Sequence, residues 1–422
     1  MEGGPDAFLD KGVMLPLCDE LGLTDQLIQV RPEAQRSFIV RGRRLLPIPE
    51  GLYLMAPSAI GPFLRSPVVS PLGKLRMGLD LVLPPRRSSD DESLASFVRR
   101  RLGREALERL AQPLLGGIYG ADPERLSLAA TMPQFLKMEQ ERDSVIRSLL
   151  AARRPPTSGS EAGSPGWLPG RGAIRELLAL LRGGDARSAR GATGTSGARY
   201  GLFYTFRNGL QTLVDSLASR LPEPQLGAPL QRLADLDADA VCLCVPLPEV
   251  ARLVPELPVP PVTYSSVATV NLAFGSAVSL PEGAGFVVPQ VEGRTIMAAT
   301  FASQKFDGRA PQGGALVRAF AGGVLGASAL ALDDNALVRA VLDDLAELLG
   351  IHREPDDVWL SRLPDSMPQY DVGHLQAIAS LEAALAGYPK LALAGNGYRG
   401  VGVPDCISSG FAAAERLLAA LG

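Results

Sequence analysis

Lys390-Leu391-Ala392-Leu393-Ala394-Gly395-Asn396-Gly397-Tyr398-Arg399-Gly400-Val401-Gly402-Val403-Pro404-Asp405-Cys406 is the stretch whose reading decides the fold. Its first five residues form a short apolar run, the pattern of a buried strand. From Cys406 to Leu421 the apolar positions return at helical spacing. Between strand and helix lie Gly395, Gly397, Gly400 and Gly402. Glycine lets backbone approach a ligand closely. The helix that follows offers unpaired N–H groups and the positive end of its dipole. Such a turn suits a phosphate, or the charge that builds on a reduced flavin ring. The same spacing also fits a glycine-rich strand–helix turn without a ligand.

Working outward, Ala240–Pro246 reads as a second short apolar strand of the buried parallel type. Strands are expected at Leu202–Phe206, Val267–Phe274, Gly285–Pro289, Thr295–Phe301 and Ala315–Phe320. Helices are expected at Gln211–Leu221 and Asp333–Leu349, so the downstream half is α/β. Upstream, Leu15–Ile28 reads as a helix, and Ser37–Val40 and Arg44–Pro49 as two strands. Residues 52–150 are mainly helical, with Ser93–Leu115 and 131–151 the clearest segments. Residues 152–199 are rich in Pro, Gly and Ser around a short helix at Ala173–Leu181, the pattern of a flexible segment.

Composition excludes several classes of function. The 422 residues suggest more than one domain. A net charge of −3 argues against a nucleic-acid partner. Four cysteines cannot form a disulfide scaffold. Cys242 and Cys244 share one face of a strand and read as buried core rather than a metal site, as do Cys18 and Cys406. His352 reads as a surface residue and His374 as a hydrogen-bonding structural one. Two histidines leave little room for a zinc site or a Ser-His-Asp triad. No metal is expected, and any chemistry belongs to a borrowed cofactor. Arginine far outnumbers lysine, which is read as codon bias. No apolar run is long enough to cross a bilayer and the first residues carry no signal peptide, so a cytoplasmic location is expected.

Two more stretches stand out. Glu2-Gly3-Gly4-Pro5-Asp6-Ala7-Phe8 is turn chemistry. Leu114-Leu115-Gly116-Gly117-Ile118-Tyr119-Gly120-Ala121-Asp122-Pro123-Glu124-Arg125-Leu126-Ser127 places two glycines after a helix, as a C-cap. Together with Met367-Pro368-Gln369-Tyr370-Asp371-Val372-Gly373-His374 and the turn 395–410, these stretches resemble one family. They occur in the order and approximate spacing of the bacterial protoporphyrinogen/coproporphyrinogen III oxidases, FAD enzymes of haem biosynthesis. The resemblance runs from Glu2 to Leu421.

That resemblance implies an amine-oxidase-like flavoprotein fold. A discontinuous Rossmann-like FAD domain would take residues 1–35, 200–260 and 386–422. A mainly helical domain would take 36–151, and a substrate-binding domain with a mixed sheet would take 261–385, joined by the segment 152–199. Gly4, Pro5, Asp6 and Ala7 match a flavin-contacting loop, and Val401, Gly402 and Val403 a flavin-contacting turn. Leu230 falls near the adenine position and Leu363 at a flavin-side position. Val287, Thr300 and Phe320 match the lining of the tetrapyrrole cavity, with Gly116 and Gly117 as a backbone wall. Ser37 stands where eukaryotic-type enzymes place an arginine for a propionate, which points to coproporphyrinogen III as substrate. Arg36, Arg41, Arg43 and Arg44 are candidate propionate partners. The flavin would take hydride from the porphyrinogen and pass electrons to O2, giving hydrogen peroxide; no side chain need act as acid or base. A haem-pathway partner enzyme and peripheral membrane contact are further implications.

The sequence also departs from the family. The G-x-G-x-x-G βαβ unit expected at the front is not found there, and a hairpin expected after Leu233 is missing. Both losses fall in the FAD domain. Two expectations follow: a working FAD oxidase incompletely represented, or a non-catalytic remnant that binds tetrapyrrole but not FAD. Another amine-oxidase-type flavoenzyme is disfavoured by the four motifs.

Overall fold

The computed structural model describes residues 2–88, 90–152, 203–275 and 278–422; the short helix read at Ala173–Leu181 lies outside them. In chain order the strands are β1 (Phe8–Leu9), β2 (Leu27–Gln29), β3 (Ser37–Arg41), β4 (Arg44–Pro47), β5 (Leu52–Tyr53), β6 (Ala56–Pro57) and β7 (Phe203–Phe206). They continue as β8 (Val241–Leu243), β9 (Tyr264–Phe274), β10 (Gly285–Val287), β11 (Ile296–Phe301), β12 (Ala315–Gly322), β13 (Asp357–Pro368) and β14 (Leu391–Leu393).

Seven of these form one mixed sheet in the order β13-β9-β12-β11-β10-β3-β4. Only the β10–β3 pairing is parallel. Strand pleating sorts its residues onto two faces. On one face Val270, Leu272, Val317, Ala319, Phe301 and Phe286 pack under Leu337, Val341, Leu345 and Leu348 of the helix Asp334–Leu349. That helix begins with Asp333, whose carboxylate accepts from the Ala336 N–H, and ends at left-handed Gly350. The other face, at its β10–β3 end, meets a helical layer through Ile39, Leu46 and Val287. β3 and β4, which the sequence reading grouped with the helical segment, are thus strands of the sheet, with β4 at its edge.

The quoted C-terminal segment folds as read, in miniature. β14 pairs in parallel with β8, Ala392 opposite Cys242. The closing helix runs Val403–Leu421. It starts a turn earlier than expected, because Pro404 sits in the first turn, where a missing N–H costs nothing. A third, antiparallel sheet, β1-β7-β2, fastens the N-terminal residues to the chain after residue 202.

Several readings need correction. Leu15–Ile28 is not one helix: Met14–Glu20 stops before left-handed Gly22, and Leu27–Gln29 is β2. Ser93–Leu115 breaks at left-handed Gly103, then resumes with a π-turn over Leu107–Ala111. Pro113 explains the wider turn, since it lacks an N–H and its ring would crowd the carbonyl four residues back. Gly116 and Gly117 are not a C-cap; they lie inside the helix Gln112–Tyr119, and the left-handed cap is Gly120. The 131–151 segment is split at Asp143, also left-handed. Cys242 and Cys244 are exposed, with sulfurs 3.6 Å apart, because the alternate residues Val241 and Leu243 face the adjoining core. Cys18 is buried, but Cys406 is only half-buried.

Candidate functional site

The second face of the large sheet carries the polar groups. Register places Ser37, Gly285, Thr300, Arg318, Asn271 and Trp359 in one row across six strands. The next row holds Ile39, Val287, Ala298, Phe320, Thr269 and Ser361. Ser37, Val287, Thr300 and Phe320 therefore share one face, and all four are half-buried. Leu363 follows on the same face of β13, opposite Val267 and before a bulge.

The N-terminal loop lies over the β9–β12 part of this face. Asn271 Nδ2 donates to the Glu2 carbonyl (3.4 Å) and Thr269 Oγ1 to that of Gly3 (3.1 Å). Arg318 donates through Nη2 to the carbonyl of Gly4. Lys305 Nζ lies 3.1 Å from both oxygens of Asp6. Burial alone would push the Asp6 carboxyl up, but Lys305, and then Arg318, hold it below the usual carboxylate range. Ala7 packs with Val30, Ala34 and Phe306. Pro5 is exposed.

The closing helix reaches the same place. Lys11 bridges to Asp405 at 2.7 Å, tying the end of the N-terminal loop to the helix's first turn. Asp405 also accepts from the Gly402 N–H (3.2 Å). A side chain at Gly400 would run into Asp405. Val401 packs against the helical layer's core, and Val403 against the cluster of Phe8, Met14 and Phe206. Tyr119, at the end of Gln112–Tyr119, has its hydroxyl pushed up to about 12 by burial and then by Asp405. The N-terminal loop and the turn Val401–Val403 are thus linked through Lys11–Asp405, and Tyr119, on the helix that carries Gly116 and Gly117, feels the charge of Asp405.

Other expected site residues stand apart. Leu230 packs with Leu243, Leu247 and Val250 beside β8 and β14, and its carbonyl accepts from Arg252. Of the four arginines near Ser37, Arg41 donates to the carbonyls of Pro67 and Val68, and Arg43 lies 3.7 Å from Glu347 on the far side of the sheet. Arg36 and Arg44 are exposed. His374 is buried and structural, as expected, and His352 is exposed. The sequence reading missed Arg318 and Lys305. A single arginine inside Ala315-Leu316-Val317-Arg318-Ala319-Phe320 was the available signal, since an isolated charge in an apolar strand needs a partner.

The chain matches the family of flavin containing amine oxidoreductases over residues 1–418. It belongs to that family. The coproporphyrinogen III oxidase of Bacillus subtilis is 34% identical over 442 residues, covering 99% of this chain and 86% of that protein. The coproporphyrinogen III oxidase of Propionibacterium freudenreichii is 35% identical, covering 99% and 82%. A solved Exiguobacterium structure assigned as a protoporphyrinogen oxidase superposes with a TM-score of 0.79 at 30% identity, covering 100% of this chain and 88% of that one. A putrescine oxidase shares the fold alone, at a TM-score of 0.60 and 16% identity.

Two of the glycines leave room for a flat ring, as the flavin-containing family requires. A Cβ built on Gly4 meets nothing within 4 Å, nor does one on Gly117. Beneath the loop, Arg318 is buried, and its Nε and Nη1 have no acceptor among the described residues. Buried N–H groups without partners are costly, so an acceptor is wanted there. Among the described residues no cluster of His, Cys, Asp or Glu could hold a metal, and no helix is long and apolar enough to cross a membrane.

Proposed function

We propose that this chain is an FAD-dependent oxidase that converts coproporphyrinogen III to coproporphyrin III with O2 as acceptor, in porphyrin and haem biosynthesis. One observation carries the reading. The sheet face that carries half-buried Ser37, Val287, Thr300 and Phe320 lies under the N-terminal glycine loop, which Lys11–Asp405 ties to the C-terminal glycine turn. The names of the relatives agree with a porphyrinogen substrate.

In this reading Gly4, Pro5, Asp6, Ala7, Leu363 and Val401–Val403 hold the flavin, with Leu230 toward the adenine. The flavin, when bound, supplies hydride acceptance and passes electrons to O2. The chain's own residues position and dry the site. Thr300 offers a hydroxyl, Phe320 and Val287 apolar walls, and Gly116–Gly117 bare backbone. Asp6, kept ionised by Lys305, and Arg318, bonded to Gly4, fix the loop. The non-catalytic alternative is not favoured, because similarity to the oxidases extends over 99% of the chain.

Protoporphyrinogen IX is the second reading, since protoporphyrinogen oxidases are also similar at 28–30% identity. Ser37 favours coproporphyrinogen III through resemblance alone, because eukaryotic-type protoporphyrinogen oxidases carry an arginine at the matching position and the coproporphyrin-forming type does not. The test is the ratio of kcat/KM for the two porphyrinogens; a ratio of one or below refutes the assignment. A cytoplasmic location fits this chemistry. The exposed row Leu64, Leu72, Leu75, Leu79 and Val82, near Arg65 and Lys74, supports peripheral membrane contact of the helical layer.

A further inference from the structure

Segment 370–374 touches the C-terminal glycine turn at three backbone groups. The Tyr370 hydroxyl accepts from the Gly400 N–H at 2.8 Å and donates to the Asn396 carbonyl at 2.6 Å. The ring of His374 stacks on that of Tyr370, with centroids 4.0 Å apart and planes 12° from parallel. His374 donates from Nε2 to the Tyr398 carbonyl at 2.7 Å, which fixes its tautomer. Both side chains are buried.

The base of this pair is anchored elsewhere. The Tyr370 carbonyl accepts from the Ser127 N–H at 2.7 Å. Asp91 accepts from the Gly373 N–H at 3.1 Å and from Ser127 Oγ at 2.6 Å. Arg125 pairs with Asp371. The helical layer and the turn 396–400 are therefore joined through two stacked rings. A turn carrying Gly395, Gly397 and Gly400 has little rotamer or steric constraint of its own. Without external bonds it would sample many backbone states.

We infer that Tyr370 and His374 are positioning residues for the cofactor: they clamp Asn396, Tyr398 and Gly400 so that the adjoining Val401–Val403 turn is preformed for the flavin. The inference rests on the flavin reading of that turn. Neither side chain is assigned contact with flavin or substrate; each acts through the backbone. Preorganisation of this kind acts on affinity by removing an ordering cost from binding.

The experiment compares the full chain with Tyr370→Phe, which keeps the ring and the stack and removes only the hydroxyl. His374→Leu and His374→Gln form a second pair, the glutamine retaining an N–H donor. Two readouts are taken: amide exchange of the peptide covering 395–403 without flavin, and the dissociation constant and visible spectrum of added FAD. Tyr370→Phe is expected to speed exchange in that peptide alone. It should weaken FAD about tenfold, the size of one hydrogen bond, and shift the bound-flavin spectrum. His374→Gln should recover most of what His374→Leu loses. Unchanged exchange at 395–403 would overturn the clamp. Faster exchange with unchanged FAD affinity and spectrum would overturn the positioning role. If the parent chain binds no FAD while exchange still responds, the flavin reading fails and the positioning role falls with it.

Discussion

The two faces of the seven-stranded sheet use the same strands for opposite ends. Along β9 and β12 the residues Val270, Leu272, Val317 and Ala319 turn to one side, where the helix Asp334–Leu349 seals them in an apolar core. Their neighbours Thr269, Asn271, Arg318 and Phe320 turn to the other side, under a loop with little side chain of its own. The first face is dry and complete. The second contains a buried guanidinium with unmet donors and four half-buried residues in two adjacent rows. Stability is concentrated on one face and, on the function proposed above, the capacity to bind on the other.

This contrast can be broken most forcefully on the dry face. Phe301 is fully buried there against Phe286. Phe301→Ala should destabilise the chain by about 3–5 kcal/mol in denaturant unfolding. A loss under about 1 kcal/mol would mean that the face is not the core it is taken for. On the other face Arg318→Met should do the reverse. Its stability cost should stay at about 1–2 kcal/mol, one lost bond to Gly4 being partly offset by removal of the unmet donors, yet FAD affinity should fall by roughly tenfold or more as a charged donor is lost. A stability loss matching that of Phe301→Ala would erase the distinction.

Substrate choice sharpens it further. Ser37→Arg adds a cation at the edge of the binding face. It reproduces the residue that the eukaryotic-type protoporphyrinogen oxidases place there for a propionate, and on that resemblance should narrow the preference for coproporphyrinogen III over protoporphyrinogen IX by about tenfold in kcat/KM. An unchanged ratio would remove Ser37 from the specificity assignment.

The smallest expected effect is on pH. Burial holds the His374 imidazole below its ordinary value of 6.5. A group that stays neutral longer in the folded state leaves stability intact above 6.5 and withdraws it as pH falls toward the lowered value. Asp6 acts lower: its carboxylate contributes above about 3.8 and is lost as pH falls through its depressed value. Thermal unfolding should therefore show a first decline just below about 6.5, absent in His374→Gln, and a second in strong acid, absent in Asp6→Asn. A single acid transition shared by all three proteins would contradict both assignments.

The elements bounded by strong local signals were legible in the sequence. β14 and the closing helix announce themselves through an apolar run, four glycines and Pro404. β13 was not read, because Pro364 and Asp365 interrupt it at a bulge and its outer residues are exposed. The helix His374–Leu385 was also passed over, although His374, Ile378, Leu381 and Leu385 keep helical spacing. The loops Glu2–Phe8 and Gly395–Val403 stand out in the sequence through their motifs. What they rest on was hidden, because Asp6–Lys305 and Arg318–Gly4 join residues about three hundred positions apart. Only strand register brings them together. The cysteine pair misled for a related reason: two residues apart on a strand defines a common face but not which face is covered.

The central claim is that this binding face works with a flavin on a porphyrinogen. The most direct measurement incubates the purified chain with FAD, coproporphyrinogen III and air. It follows flavin absorbance, porphyrin fluorescence and peroxide together. The account predicts a yellow protein that forms fluorescent coproporphyrin and releases hydrogen peroxide as it does so. A colourless protein that forms no porphyrin above the enzyme-free rate would contradict it.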